Sequence, residues 1–135
     1  MWDIGQGSIV LNVPNRPNAG NGSSKDIEIW ITYWADISQA PVLQVSPSAT
    51  TTDKVTNLLE EVPPGAWYQD YYTLHMEPNP DSETITFSGD AQWGSMIDEI
   101  AVSTVCNVVP EPGSLVALCA GLSGLAGFVL CRRQA

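Results

Sequence analysis

Apolar and polar residues alternate with a period of two along most of the chain before Val105. The clearest example is the segment DIEIWITYW, residues 26–34. Ile or Tyr occupies the odd positions from 27 to 33, whereas the even positions hold Glu28, Trp30, Thr32 and Trp34. Successive side chains of a β-strand point to opposite faces. The segment therefore predicts a strand with one aliphatic face and one face rich in aromatic rings.

Five further segments have the apolar alternation or short apolar runs of strands: 8–13, 41–45, 67–76, 83–88 and 96–105. The stretches between them are rich in Gly, Pro, Asn and Asp, which favour turns. Residues 53–62 fit a strand or a three-turn helix capped by Asp53, and the all-β surroundings favour the strand. The pattern predicts a mainly β fold, an antiparallel β-sandwich, over residues 1–107.

An uncharged apolar segment, residues 114–131, follows this body and is itself followed by Arg132 and Arg133. At about 1.5 Å per residue, a helix over this segment would be about 27 Å long, close to the hydrocarbon thickness of a bilayer. We therefore predict a single C-terminal transmembrane helix. The Arg pair places the basic end, residues 132–135, in the cytoplasm and the body on the other side of the membrane.

Between the body and the predicted helix lies a short linker, residues 108–113, with the sequence VVPEPG. Pro110 and Pro112 fix two φ angles and remove two N–H donors, so this spacer can join neither a strand nor a helix. Val109, Pro110, Glu111 and Pro112, followed by the apolar segment and the Arg pair, resemble the PEP-CTERM sorting signal of exported bacterial proteins.

The resemblance implies that the chain is a substrate of an exosortase, a membrane cysteine transpeptidase that recognises the Pro-Glu-Pro region and removes the helix. Such proteins reach the cell surface or the extracellular matrix of Gram-negative bacteria, and they carry an N-terminal signal peptide. Residues 1–17 have neither a basic region nor a continuous apolar stretch. We therefore expect a signal peptide upstream of Met1; the alternative is a tail-anchored protein with a cytoplasmic body.

Charge and composition narrow the function of the body. The chain has 15 Asp and Glu against five Lys and Arg, a net charge of −10 at pH 7, which disfavours nucleic acid as a partner. The single histidine, His75, has no nucleophile motif near it, and the clustered His and Cys of a zinc site are absent. Cys106 is the only cysteine before the apolar tail. We therefore expect a body without catalytic activity or cofactor.

Two carboxylate-based alternatives stay open. Acid pairs such as Glu60–Glu61 or Asp98–Glu99, or the single Asp70, are the residue types that a glycoside hydrolase or lyase uses, so the chain could be a fragment of such an enzyme. Asn79, Asp81 and Glu83 offer oxygen ligands at alternating positions, the chemistry of a structural calcium site.

Aromatic residues suggest a binding function. Trp30 and Trp34 share one face of a predicted strand, as do Trp67 and Tyr71 of another. Flat aromatic faces stack on sugar rings, and we predict that these four residues bind exopolysaccharide; the alternative is that they fill the core.

The end of the body carries a second resemblance. Residues 84–104 resemble the closing strands of jelly-roll domains of the carbohydrate-binding-module or galactose-binding type, through Gly94, Ile97, Asp98, Ile100 and Val102. The resemblance implies a jelly-roll-like sandwich.

Overall fold

A computed structural model describes residues 1–15, 23–36, 40–90 and 92–107, together with Ala120. Within these residues the chain forms eight strands: β1 (Trp2–Asp3), β2 (Ser8–Pro14), β3 (Ser24–Ala35), β4 (Val42–Ser46), β5 (Thr51–Val62), β6 (Gly65–Met76), β7 (Ser82–Ser88) and β8 (Met96–Asn107). All strand pairs are antiparallel. They form a five-stranded sheet of order β1-β8-β3-β6-β5 and a three-stranded sheet of order β2-β7-β4.

Strand β3 lies at the centre of the larger sheet, between β6 and β8. Its pairing with β6 runs without a register shift from Lys25 opposite Met76 to Ala35 opposite Ala66. Its pairing with β8 shifts between Thr32 and Tyr33. The long, unbroken register with β6 fixes which side chains of the two strands face each other.

The core lies between the two sheets. The odd positions of β3 are essentially closed to solvent, and they cluster with Ile85 and Phe87 of β7. Each such aliphatic or aromatic side chain contributes about 1.5–3 kcal/mol when removed from water. The predicted aliphatic face of β3 therefore packs against the smaller sheet, as in β-sandwiches.

These elements confirm a mainly β, antiparallel fold. The six clear segments are all strands, and residues 53–62, where strand and helix competed, belong to β5. Strand β1 was not predicted, because its two residues carry no alternation. The jelly-roll resemblance of residues 84–104 stays a prediction.

The smaller sheet leaves the far edge of the larger sheet uncovered. All twelve residues of β5 are exposed, including those that point toward the side of the sheet that holds the core. Tyr68 of the neighbouring β6 is half-buried. The sandwich is therefore closed around β3 and β7 and open along β5.

No helix among the described residues is long and apolar enough to cross a bilayer. The predicted span, residues 114–131, lies outside the described residues except for Ala120, whose backbone is helical. The predicted transmembrane helix therefore stays a prediction.

Candidate functional site

The four aromatic residues of the binding hypothesis lie together on the outer face of the larger sheet. Trp30 is directly opposite Tyr71, and Trp34 is directly opposite Trp67, across the β3–β6 pair. The rings of Trp30 and Tyr71 have centroids 5.1 Å apart and an interplanar angle of 33°. All four side chains are half-buried, on the side of the sheet away from the core. We call Trp30, Trp34, Trp67 and Tyr71 the aromatic face.

A polar pair separates the two aromatic pairs. Thr32 lies opposite Gln69, and the Gln69 Nε2 atom is 3.5 Å from the Thr32 Oγ1 atom. The aromatic pairs are four residues apart on each strand, which corresponds to about 13 Å. This distance exceeds the width of one sugar ring, so a ligand that contacts both pairs must be an oligomer or a polymer.

A cluster of hydrogen-bonded charged side chains lies at one end of the aromatic face. The Tyr71 hydroxyl donates to Glu28 Oε1 at 2.9 Å, which fixes the orientation of the ring. Beyond it, His75 Nδ1 is 2.6 Å from Asp26 Oδ1, and Asn107 Nδ2 donates to Asp26 Oδ2 at 2.7 Å.

This cluster shifts two pKa values in opposite directions. Hydrogen bonds from His75 and Asn107 lower the pKa of Asp26. The hydrogen bond to the Asp26 carboxylate raises the pKa of His75, against a smaller opposing effect of desolvation. The sequence does not reveal this pair, because Asp26 and His75 are far apart in sequence and only the β3–β6 register brings them together.

The outer side of the larger sheet is acidic. Register places six carboxylates at its outward positions: Asp3, Asp26, Glu28, Asp53, Glu60 and Glu99. Lys25 and Lys54 lie at inward positions of β3 and β5, so the outward positions of β3, β5, β6 and β8 carry neither Lys nor Arg. The surface around the aromatic face therefore repels anionic ligands.

Asp70, one of the acids considered for catalysis, is completely buried on the inner side of β6. Its carboxylate is 2.7 Å from Lys54 Nζ and accepts hydrogen bonds from three hydroxyls: Thr56 at 2.7 Å, Tyr72 at 3.3 Å and Tyr33 at 3.4 Å.

The neighbours of Asp70 respond to burial and to its charge. Burial and the negative charge of Asp70 raise the pKa of Tyr33 and the pKa of Tyr72. For Lys54, burial opposes the charged form, but the hydrogen bond and charge of Asp70 outweigh it and raise the pKa. This network satisfies the buried carboxylate and holds both tyrosines in the neutral form.

The acid pairs differ in their placement. Glu60 lies opposite Trp67 and points outward, whereas Glu61 lies opposite Ala66 and points inward, so the two carboxylates project from opposite sides of β5. Asp98 lies within the irregular part of β8, and its Oδ1 atom is 3.3 Å from the backbone nitrogen of Met1.

The proposed calcium ligands do not gain support from the structure. Glu83 is buried, and its Oε2 atom is 2.6 Å from Lys25 Nζ, so an ammonium group already neutralises this carboxylate and opposes a second cation. Asp81 is exposed in the turn before β7. Over the described part of the chain, no three His, Cys, Asp or Glu side chains converge on a point that could hold a metal ion.

The sorting-signal residues Val109, Pro110, Glu111 and Pro112, with Arg132 and Arg133, lie outside the described residues. Their assignment comes from comparison instead. Residues 108–133 match the family model of the PEP-CTERM protein-sorting motif. No curated protein and no solved structure matches the chain. The resemblance predicted from the Pro-Glu-Pro linker is thus confirmed: the chain carries the motif, which marks an exported protein that an exosortase sorts.

Proposed function

We propose that this chain, an exosortase-sorted exported protein, is a non-catalytic surface or matrix protein whose sandwich binds exopolysaccharide. The observation that carries the proposal is the placement of Trp30, Trp34, Trp67 and Tyr71 on one outward face of β3 and β6. Before processing, the protein is held in the inner membrane by a helix over residues 114–131. After processing, it resides at the cell surface or in the matrix.

The form of the aromatic face favours a polymer as the ligand. Aromatic rings carry a large apolar area, and a group of them on the outside of a sheet is typical of an interaction surface. The rings lie on a continuous two-strand surface, with Thr32 and Gln69 between the two pairs to bond sugar hydroxyls. A long saccharide chain that lies along the strands contacts both pairs at once.

Charge narrows the class of polysaccharide. The outward carboxylates of the larger sheet, with no Lys or Arg at the outward positions of β3, β5, β6 and β8, repel uronic-acid or sulfated polymers. Neutral sugars are not repelled, and sugars with protonated amino groups are attracted by the carboxylates. We therefore infer a neutral or amine-bearing polysaccharide.

The absence of catalysis is part of the proposal. Asp70 is buried and engaged by Lys54 and three hydroxyls, and Glu60 and Glu61 project from opposite sides of β5. A glycosidase needs two carboxyl groups about 5–10 Å apart that flank one substrate bond. Glu28, the acid next to the aromatic face, accepts a hydrogen bond from Tyr71 and serves here to orient the ring.

The proposal is tested by polysaccharide binding of the full chain in mild detergent, with affinity electrophoresis in gels that contain a neutral glucan, a partly deacetylated glucosamine polymer or a polyuronate. We expect retardation by the first two polymers and none by the polyuronate. Trp30→Ala and Trp67→Ala should each weaken binding about fivefold, equivalent to about 1 kcal/mol.

Trp2→Ala is the matched control. Trp2 is exposed in β1 and lies opposite Ile97, whose side chain points into the core, so Trp2 is on the other side of the sheet from the aromatic face. Its loss should leave binding unchanged. Failure to bind any of the three polymers, or equal losses for Trp2→Ala and Trp30→Ala, would overturn the proposal.

A further inference from the structure

Strand β5 presents a long free edge. It pairs with β6, and no other described strand pairs with it, so one side of its twelve-residue backbone has no strand partner over a length of about 40 Å. Four large apolar side chains of β5 are between 40% and 54% exposed: Val55, Leu58, Leu59 and Val62. An exposed, apolar edge of this length is a template for pairing with another strand.

We propose that β5 pairs with β5 of a second copy of the same chain, antiparallel, so that two five-stranded sheets become one continuous sheet. This proposal rests on the sequence of β5 and does not depend on the binding of polysaccharide.

The sequence of β5 is complementary to itself in one register. Leu59 lies at the register shift of β5 against β6, so residues after it are counted one position earlier. With Asn57 opposite Asn57 of the second copy, Lys54 comes opposite Glu61 of that copy. Both of these side chains point to the inner side of the sheet, where they lie opposite Tyr72 and Ala66 of β6. The two-fold symmetry makes two such ion pairs.

The other contacts of this register are also favourable. Thr56 comes opposite Leu58 of the second copy on the inner side, and Val55 comes opposite Glu60 on the outer side. No two like charges face each other. Cross-strand pairs of opposite charge stabilise an antiparallel sheet, and like charges directly opposite destabilise it.

Neighbouring registers are less complementary. A shift by two positions in one direction places Asp53 opposite Glu60 of the second copy, a repulsive pair that occurs twice. That register has already lost both ion pairs, and a further shift, which places Val55 opposite Val55 of the second copy, does not restore them. The charges of β5 therefore select the register centred on Asn57.

The symmetry of this dimer has one functional consequence. This consequence rests on the proposed function, whereas the dimer itself does not. The two-fold axis is perpendicular to the sheet, so the aromatic faces of both copies point to the same side. A polysaccharide that lies across the dimer meets two aromatic faces, and the second contact forms at a high effective concentration.

Cysteine cross-linking tests the register directly in the full chain in mild detergent. In a background that carries Cys106→Ser, Cys119→Ala and Cys131→Ala, Asn57→Cys should form a disulfide-linked dimer on mild oxidation, because Cβ atoms of directly opposed residues are about 4.5–5.5 Å apart. Val55→Cys should stay monomeric on a denaturing gel. Preferential cross-linking of Val55→Cys would overturn the register.

A charge variant tests the interface without any disulfide. Glu61→Lys places an ammonium group opposite Lys54 of the second copy, and we expect the dimer to dissociate about tenfold more readily in sedimentation experiments. Glu99→Lys, on β8, makes the same change of charge away from the interface and should have no effect. A chain that is monomeric at every concentration, or equal effects of both variants, would overturn the dimer; polysaccharide binding by a monomer would leave the proposed function standing.

Discussion

Lys25 of β3 and Glu83 of β7 form an ion pair that crosses from one sheet of the sandwich to the other, with 2.6 Å between Nζ and Oε2. Both side chains are at most 1% exposed. Lys25 also donates to Asn15 Oδ1 at 3.0 Å. The pair lies at one end of the core, where it replaces the aliphatic contacts that hold the sheets together elsewhere.

Removing one partner of this ion pair should lower the free energy of unfolding far more than replacing both partners by apolar residues. Glu83→Leu leaves the Lys25 ammonium buried without a counter-charge, which should lower the free energy of unfolding by about 3–5 kcal/mol. The double variant Lys25→Met/Glu83→Leu removes both charges and should recover most of this loss. Urea unfolding, followed by tryptophan fluorescence, measures both values.

The control for this series is Thr86→Val, on the outward side of the same strand β7, which should change the free energy of unfolding by less than about 0.5 kcal/mol. If the double variant lost as much free energy of unfolding as the two single variants together, Lys25 and Glu83 would not be energetically coupled, and this account of the ion pair would be wrong.

The Asp26–His75 pair predicts a pH dependence. His75 is the only histidine of the chain, so its ring resonances report a single titration. The Asp26 carboxylate raises the pKa of His75 above 6.5, the value of an unperturbed side chain. NMR titration should find this raised pKa in the native chain and a fall toward 6.5 in Asp26→Asn. Asn107→Ala, which removes the other hydrogen bond to Asp26, should leave the pKa of His75 raised.

The same pair contributes to stability in one pH window. Because the folded state raises the pKa of His75, its contribution is complete below about 6.5 and is lost as pH rises through the folded value. Because the folded state lowers the pKa of Asp26, its contribution is present above 3.8 and is lost as pH falls through the lowered value. A native chain whose advantage over Asp26→Asn grew above neutral pH would contradict this account.

Much of the sandwich could be predicted from sequence because its strands are amphipathic. The odd positions of β3 are buried together. The even positions, which include Trp30 and Trp34, therefore lie on the opposite face, whichever strands pair with β3. The alternation of apolar and polar residues does not determine the register between neighbouring strands. That Trp34 meets Trp67, and that Asp26 meets His75, depends on how β6 aligns with β3.

Two other features could not be predicted from the sequence for a related reason. Glu83 is a charged residue at the start of the strand predicted over residues 83–88, and its burial depends on a lysine that is 58 residues away. Every residue of β5 is exposed, so its pattern of Val55, Leu58, Leu59 and Val62 corresponds to no buried face and fits a helix equally well. Both cases depend on neighbours that only the fold supplies.

The spacing of the aromatic pairs predicts a dependence on saccharide length. An oligosaccharide long enough to cover both pairs, about 13 Å apart, should bind more tightly than one that covers a single pair. Trp34→Ala should remove that advantage, because it leaves only the Trp30–Tyr71 pair intact, with an expected loss of about fivefold for the long oligosaccharide and none for a disaccharide held at the Trp30–Tyr71 pair. Isothermal titration with a length series measures this, and an identical loss for every length would contradict it.

The sorting motif predicts processing that depends on the linker. In a host that contains an exosortase, the chain should lose the segment after Pro112 and appear at the surface or in the medium, whereas deletion of the exosortase should leave the unprocessed chain in the inner membrane. Glu111→Ala should have the same effect as the deletion, because it removes the only charge between Glu99 and Arg132. Glu99→Ala, an equal loss of charge within β8, is the control and should be processed normally. Mass spectrometry of the fractionated protein reads out both forms, and equal masses with and without the exosortase would show that the motif does not direct cleavage of this chain.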